Sequence, residues 1–353
     1  MKPQFPSTQF LSIILSTLTI IPFTAAVCEC GYVLTTTNQY FTHTFTNNFT
    51  GLPDTTTGVN LTRSLPDWEI QEYKFAADKK TGILGRQNAM SSVWIKDGLL
   101  HLLQKGYGAN DTGPVQVAEL QSINQNFFHG SFRARYRVVQ VKGATGGSVA
   151  GFFLYYDDQN ETDIEVLTKD GDRAIHYTNH PSYEVATDTL VPGAAFTHQL
   201  ARPWNEFHEH RFDWSEGLSA FYVNNVNVLN ITKNVPTHEG KLILNVWANN
   251  GSWSGPPSSN DVYMDVEYIL MYYNTTDSAA GNDEVFNRAC EFAGGNEQRG
   301  TVCYVTDQAG NSSVDSVMSL DAPVEDAAVR VGGVQMTTLL GVVAAVVVVI
   351  GIL

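Results

Sequence analysis

Glu161, Asp163 and Glu165 are three acids spaced two apart, in the run Glu161-Thr162-Asp163-Ile164-Glu165. Phe152-Phe153-Leu154-Tyr155-Tyr156 precedes the run and Val166-Leu167 follows it, and these apolar flanks predict a buried strand. Side chains alternate between the two faces of a strand, so the three acids share one face. Like charges repel, which raises at least one pKa and lets one carboxyl donate a proton while another stays ionised. Two carboxyls with separated pKa values are what glycoside cleavage needs. The competing reading is a solvated acidic strand face, but such a face rarely carries three acids between apolar flanks.

The elements that must position these acids also read as strands. Val93-Trp94-Ile95 leads through Lys96-Asp97-Gly98, a turn signal, into Leu99-Leu100-His101-Leu102-Leu103. Phe132-Arg133-Ala134-Arg135-Tyr136-Arg137-Val138 alternates apolar and basic residues, and Phe207 to Trp214 alternates likewise. Leu218 to Val223 meets Asn224-Asn225 and then Val226 to Leu229, a hairpin signal. Lys241 to Trp247 and Val262 to Tyr273 are two further strands. No long segment of helical period separates them, and no internal repeat is present. About 250 residues of this kind suit one all-β sandwich.

The termini predict an exported chain. Met1 to Ala26 carries one Lys, an apolar run from Phe10 to Ile21, and Thr24-Ala25-Ala26, the pattern of a cleaved secretory signal. Leu339 to Leu353 is a second apolar run with no charge after it. It falls short of the roughly 20 residues that span a bilayer and lacks basic stop-transfer residues. With Asp326-Ala327-Ala328 upstream, it reads as a glycolipid (GPI) anchor signal with Asp326 as attachment site, rather than as a transmembrane helix. The expected organisation is a signal at 1–26, a β domain at 27–276, a disulfide-linked extension at 277–305, a linker at 306–326 and a removed signal at 327–353. The expected location is the cell surface, at the plasma membrane or in the cell wall.

Sequons at Asn48, Asn60, Asn110, Asn230, Asn250, Asn274 and Asn311 predict surface glycans. An eighth, at Asn160, abuts Glu161 and is set aside. A formal charge of −15 argues against nucleic acid and anionic membrane surfaces, and suits a neutral polysaccharide. The four cysteines, Cys28, Cys30, Cys290 and Cys303, predict disulfides in an oxidising compartment. A bridge from Cys28 to Cys30 would span one residue and be strained. Both remaining connectivities tie the mature N-terminus to the 290–303 segment. The spacing is not a zinc spacing.

With these residues in view, the chain resembles the family 16 glycoside hydrolases, whose signature Glu-x-Asp-x-Glu stands here as Glu161 to Glu165. Gly130 to Arg135, Gly151 to Tyr155, Leu167 to Asp170, Tyr177 to Asn179, Phe207 to Trp214, Phe221 to Asn224, Asn245 to Trp247 and Val266 to Ile269 follow in the family's order, so the likeness covers about residues 40 to 275. The resemblance implies a concanavalin-like jelly roll of two antiparallel sheets with a concave substrate cleft. It implies Glu161 as nucleophile, Glu165 as general acid/base and Asp163 as helper between them. Some positions depart from the lichenase pattern. Thr162 stands for Ile, Gln159-Asn160 for Trp-Asp, and Gln121 replaces an Arg near the retained Glu119, so substrate preference does not carry over.

Cα atoms of Glu161 and Glu165 on an extended strand lie about 13 Å apart, whereas retention wants carboxyls about 5–5.5 Å apart. Strand curvature and inward-leaning side chains must close that gap. The expected substrate-binding residues are Glu119, Gln121, Tyr177, Asn179, Asn245, Trp247 and Trp253, with the other tryptophans in the core. His208 and His210 share a strand face with no third ligand in sight, which predicts a surface pair rather than a metal site. No cofactor is required. A structural calcium on the convex face, as lichenase-like proteins hold, would use Glu267. The expected activity is a retaining endo-β-glucanase, with a transglycosylase on the same residues as alternative and a non-catalytic lectin as the minor one. The expected partner is a β-glucan polysaccharide or oligosaccharide, and the expected state a monomer.

Overall fold

The structure is a computed structural model that describes residues 28–55, 64–292, 300–306 and 316–318. The expected signal, the C-terminal anchor segment, Asn60, Asn311 and Asp326 lie outside the described residues.

Two sheets face each other across one core. The acid-bearing strand, Asn160–Leu167, is interior to a nine-stranded sheet. Val149–Asp157 pairs with it on one side and Ala174–Asn179 on the other, both antiparallel. Beyond Val149–Asp157 lie Lys241–Trp247 and then Val115–Ser122. A parallel pairing, Arg86–Asn88 with Val115–Ser122, occurs towards the far edge. The eight-stranded sheet is built around Phe128–Gln140, flanked by His208–Ser215 and Val262–Asn274.

The two expected hairpins form, and their turns show why. Asp97 and Gly98 sit at φ of 52° and 76°, and Asn224 and Asn225 at 49° and 64°. Two successive positive φ values match the twist of the flanking strands, and Asn, Asp and Gly tolerate them best.

Alternation decides what meets in the core. Phe132, Ala134, Tyr136 and Val138 of one sheet face Phe152, Leu154, Ile164, Val166 and Tyr177 of the other, all buried. Truncating a ring such as Phe152 to Ala should cost about 3–5 kcal/mol. His208 and His210 lie on this inner side, 2% and 1% exposed, so the surface placement expected for them is corrected. Burial holds the His210 imidazole well below its usual pKa, hence neutral.

Residues 32–41 form a small sheet apart from the sandwich, and His43–Asn48 is the first strand to pair within the sandwich. Tyr32–Leu34 pairs antiparallel with Gln39–Phe41 and parallel with Val302–Val305 from the extension. Ser316–Met318, in the expected linker, adds a further antiparallel strand. A nine-residue helix, Glu284–Phe292, occupies the extension, where no helix was anticipated. Disulfides join Cys28 to Cys303 and Cys30 to Cys290. Leu34, Phe41 and Val305 of this small sheet bury Leu270 and Tyr272, on the outer side of the eight-stranded sheet.

Asn48, Asn110, Asn230 and Asn250 are exposed, as glycan acceptors must be. Asn274 is half-buried, and its amide accepts from the Thr42 N–H and hydroxyl and faces the Tyr40 carbonyl. It clasps the chain at Tyr40 and Thr42 to the end of Val262–Asn274. Asn160 is buried, accepting from the Thr237 N–H and donating to Asp157.

Candidate active site

Register brings the site together. On the acid strand, Glu161 stands opposite Tyr155, Asp163 opposite Phe153, and Glu165 opposite Gly151. Directly opposed residues share a face. Across the next strands, Gly151 meets Asn245 and Asn245 meets Glu119, while Phe153 meets Ile243 and Ile243 meets Gln121. On the other side, Glu165 meets His176 and Asp163 meets Thr178. The three acids therefore share the sheet's open face with Glu119, Gln121, Asn245 and Trp247, as expected. Gly151 keeps the floor low between Glu165 and Asn245, since a Cβ there would meet Asn245 Oδ1 at 2.8 Å.

Tyr177 and Asn179 do not belong to this face. Their partners are Ile164 and Thr162, which alternate inward. Tyr177 is fully buried in the core, and buried Asn179 donates to the Lys233 carbonyl at 3.1 Å. Both expectations are corrected by one residue of parity: the face carries His176 and Thr178 instead. Trp253 reaches the acids from its loop, and its indole N–H donates to Glu165 Oε2 at 2.9 Å. Its ring lies 5.2 Å from that of His176. Trp68, Trp204 and Trp214 are core, as expected, but Trp94 is half-buried and stacks on His101, so its core placement is corrected.

Other residues of the site had no motif to announce them. Arg86 stacks on both Phe75 and Trp247, its guanidinium carbon 4.4 Å from each ring. Tyr73 donates to Glu119 at 2.7 Å, Gln121 donates to Glu119, and Lys241 donates to Gln121 at 2.8 Å. Glu119 is thus held from two sides. Phe153, Tyr155 and Lys241 could have been found by extending the alternation across paired strands. Tyr73 and Arg86 arrive from distant chain and leave no local signal. His180, placed by its own N–H donating to the Glu161 carbonyl at 3.0 Å, brings Nε2 to 3.0 Å from Asp163 Oδ2.

Burial raises all three acids. Burial first and the Asp163 charge second push Glu161 up to about 10. Burial and then the Glu161 charge push Glu165 up to about 7, against the Trp253 N–H, which favours its carboxylate. Asp163 is raised well above its ordinary value by burial and the Glu165 charge, while its hydrogen bond with Glu161 opposes the rise. Neighbouring carboxyls of this kind titrate as one coupled unit. The protein thus stores protons at this face near neutral pH, which suits a proton donor.

Among the described residues, Glu161, Asp163 and His180 place one ligand atom each within 4.8 Å of one another. We assign no metal to them, because the same oxygens are those that carboxylate chemistry on a glycoside would use. The calcium expected at Glu267 does not fit either. Arg135 pairs with the Glu267 carboxylate, and its guanidinium would oppose a divalent cation there.

A jelly-roll sandwich with this acid row on its open face defines a carbohydrate-active enzyme class. The family model described as "Glycosyl hydrolases family 16" matches residues 68–269, and the chain belongs to that family, whose members act on O-glycosyl bonds. The chain is similar to a beta-glucanase of Acetivibrio thermocellus, 31% identical over 197 residues that cover 52% of this chain and 54% of that one. It is similar to the Crh-like protein CRH11 of Candida albicans, 25% identical over 163 residues, 44% of this chain and 34% of that one. The matched region thus spans about half and a third of these two relatives. Among solved structures it is similar to a lichenase from a mouse hindgut metagenome, with TM-score 0.48 and 19% identity, over 65% of this chain and 99% of that one.

Proposed function

We propose that this chain is a secreted, membrane-anchored, retaining endo-β-glucanase that cuts cell-wall β-glucan and works as a monomer. The observation that carries the reading is the row Glu161, Asp163, Glu165 on one open sheet face, with Trp253 on Glu165 and aromatic and amide side chains beside it. Glu161 attacks the anomeric carbon while Glu165 gives its proton to the departing glycosidic oxygen, leaving a glycosyl ester on Glu161. Glu165, now ionised, takes a proton from water, and the water oxygen displaces Glu161 and restores both groups. Asp163 holds Glu161 by a hydrogen bond and, when ionised, disfavours charge on Glu165. Trp247, Tyr155 and Phe153 offer ring faces to sugar C–H groups, and Asn245 offers an amide.

Export and anchoring rest on the residues at 1–26 and 327–353. Release of the protein from membranes by a phospholipase that cuts glycolipid anchors is the expected result, and persistence in the detergent phase would argue for a transmembrane helix.

Transfer to a sugar acceptor is the second reading, because the anchor signal would hold the glycosyl-enzyme among neutral glycan ends. The test is product analysis on β-1,3, mixed-linkage and chitin-type glycans with a labelled oligosaccharide acceptor. A β-configured first product supports retention, and an α-configured one sinks the mechanism. Label in the product selects transfer, and its absence at high acceptor concentration leaves hydrolysis alone.

A further inference from the structure

Two groups touch the acid row at opposite ends. Trp253 meets Glu165, and its N–H favours charge on the very carboxyl that must keep a proton. Burial and the Asp163 charge meanwhile favour a proton on Glu161, the carboxyl that must be ionised to attack. The His180 charge lowers both carboxyls, and at Glu161 it is the one group that opposes the rise.

His180 stands at the other end. Its Nε2 lies 3.0 Å from Asp163 Oδ2, and its ring belongs to the same tight group as the Glu161 carboxylate. The backbone that carries the ring is tied down on both sides. The His180 N–H donates to the Glu161 carbonyl at 3.0 Å, Asn179 before it donates to the Lys233 carbonyl, and the Pro181 carbonyl after it accepts from Asn234 at 2.6 Å. The charged and titratable groups that face it are Glu161 and Asp163, with Glu165 farther along the strand and Asp158 in the turn before Glu161. Lys233 meets this segment through its backbone carbonyl.

We propose that His180 is a positioning residue for the glycosidic reaction: it fixes Asp163 and, when protonated, favours the ionised form of Glu161 over that of Glu165. The inference rests on the roles assigned above. A positive charge stabilises the nearest carboxylate most, and His180 touches the Glu161–Asp163 end. No covalent step involves His180, and the proton given to the leaving oxygen remains that of Glu165.

The test is the pH profile of kcat/KM for His180→Gln and His180→Lys, each checked for folding by thermal unfolding, with Glu161→Gln alongside. His180→Gln should lower kcat about tenfold or more with KM little changed. Its acid limb should move to higher pH by about one unit, because Glu161 ionises less readily without the cation. His180→Lys should bring the limb back. A folded His180→Gln with unchanged kcat and limb would overturn the inference, as would a limb displaced equally in His180→Lys. Retained activity in Glu161→Gln would show instead that the role assignment had failed.

Discussion

Two strands in this molecule carry three like charges at the same spacing, and they end in opposite circumstances. Arg133, Arg135 and Arg137 alternate along Phe128–Gln140 as Glu161, Asp163 and Glu165 alternate along Asn160–Leu167. Arg135 and Arg137 are each balanced by a neighbouring carboxylate. Arg135 pairs with Glu267, Arg137 lies 3.0 Å from Asp265, and Arg133 donates to Ser131 at 3.1 Å and faces the Tyr272 ring. The acid row faces Tyr155, Phe153 and Gly151 on one side and His176 and Thr178 on the other. Its one ion pair among the described residues is with His180. Balanced charge builds structure, whereas like charge left crowded and half-desolvated raises pKa values and supplies a proton at neutral pH. A spacing of two makes a row, and the facing strand decides what the row is for.

The comparison breaks most sharply at the outer acids. Glu161→Gln should lose at least about 10³-fold in turnover on every glycan. Glu165→Ala should lose about 10²–10⁴-fold on natural glycans while still forming the glycosyl-enzyme from an activated aryl glycoside. Azide should then rescue Glu165→Ala as a β-linked product and Glu161→Ala as an α-linked one. Swapped azide products would reverse the two roles, and full activity in both variants would return the lectin reading.

A smaller effect is expected at Trp253. Its N–H favours the Glu165 carboxylate, so Trp253→Phe should raise the Glu165 pKa. The kcat/KM of the parent should fall as pH rises through about 7, and in the variant that alkaline limb should lie at higher pH. A limb that moved the other way would mean that Glu165 is not the group being titrated.

Stability should separate the two rows as well. The acids have folded pKa values above their ordinary 4.5 for Glu, so their ionisation works against the fold. Their contribution is whole below about pH 4.5 and is lost as pH rises through the folded values of about 7 for Glu165 and about 10 for Glu161. Glu161→Gln should therefore melt a few degrees above the parent at alkaline pH, a gap that closes towards pH 4.5 in calorimetric scans. An equal gap at all pH values would exclude titration as its cause.

The smallest effect is reserved for the arginine row. Arg135→Gln breaks a half-exposed ion pair and should cost at most about 1 kcal/mol, with activity unchanged. A large loss of turnover in that variant would erase the distinction between the rows.

Much of this was legible in the residues themselves. Alternation gave the strands, the Asp97-Gly98 and Asn224-Asn225 pairs gave the hairpins, and the acid row gave the chemistry, because each is a local consequence of strand pleat and turn geometry. Parity was the weak point. Tyr177 and Asn179 were placed on the open face, and a one-residue error sends a side chain to the other side of a sheet. Which cysteine of each end pairs with which, and that the N-terminal strand leaves the sandwich for a sheet of its own, depended on contacts separated by some 260 to 275 residues. The sequence by itself determined that three carboxyls share a face within a β protein, since period and polarity are local. Only the tertiary structure decided that Trp253 caps Glu165, that His180 stands against Asp163, and that Arg86 lies between Phe75 and Trp247. Those contacts come from loops and strands far apart in the chain, and register and loop path, rather than any local propensity, bring them together.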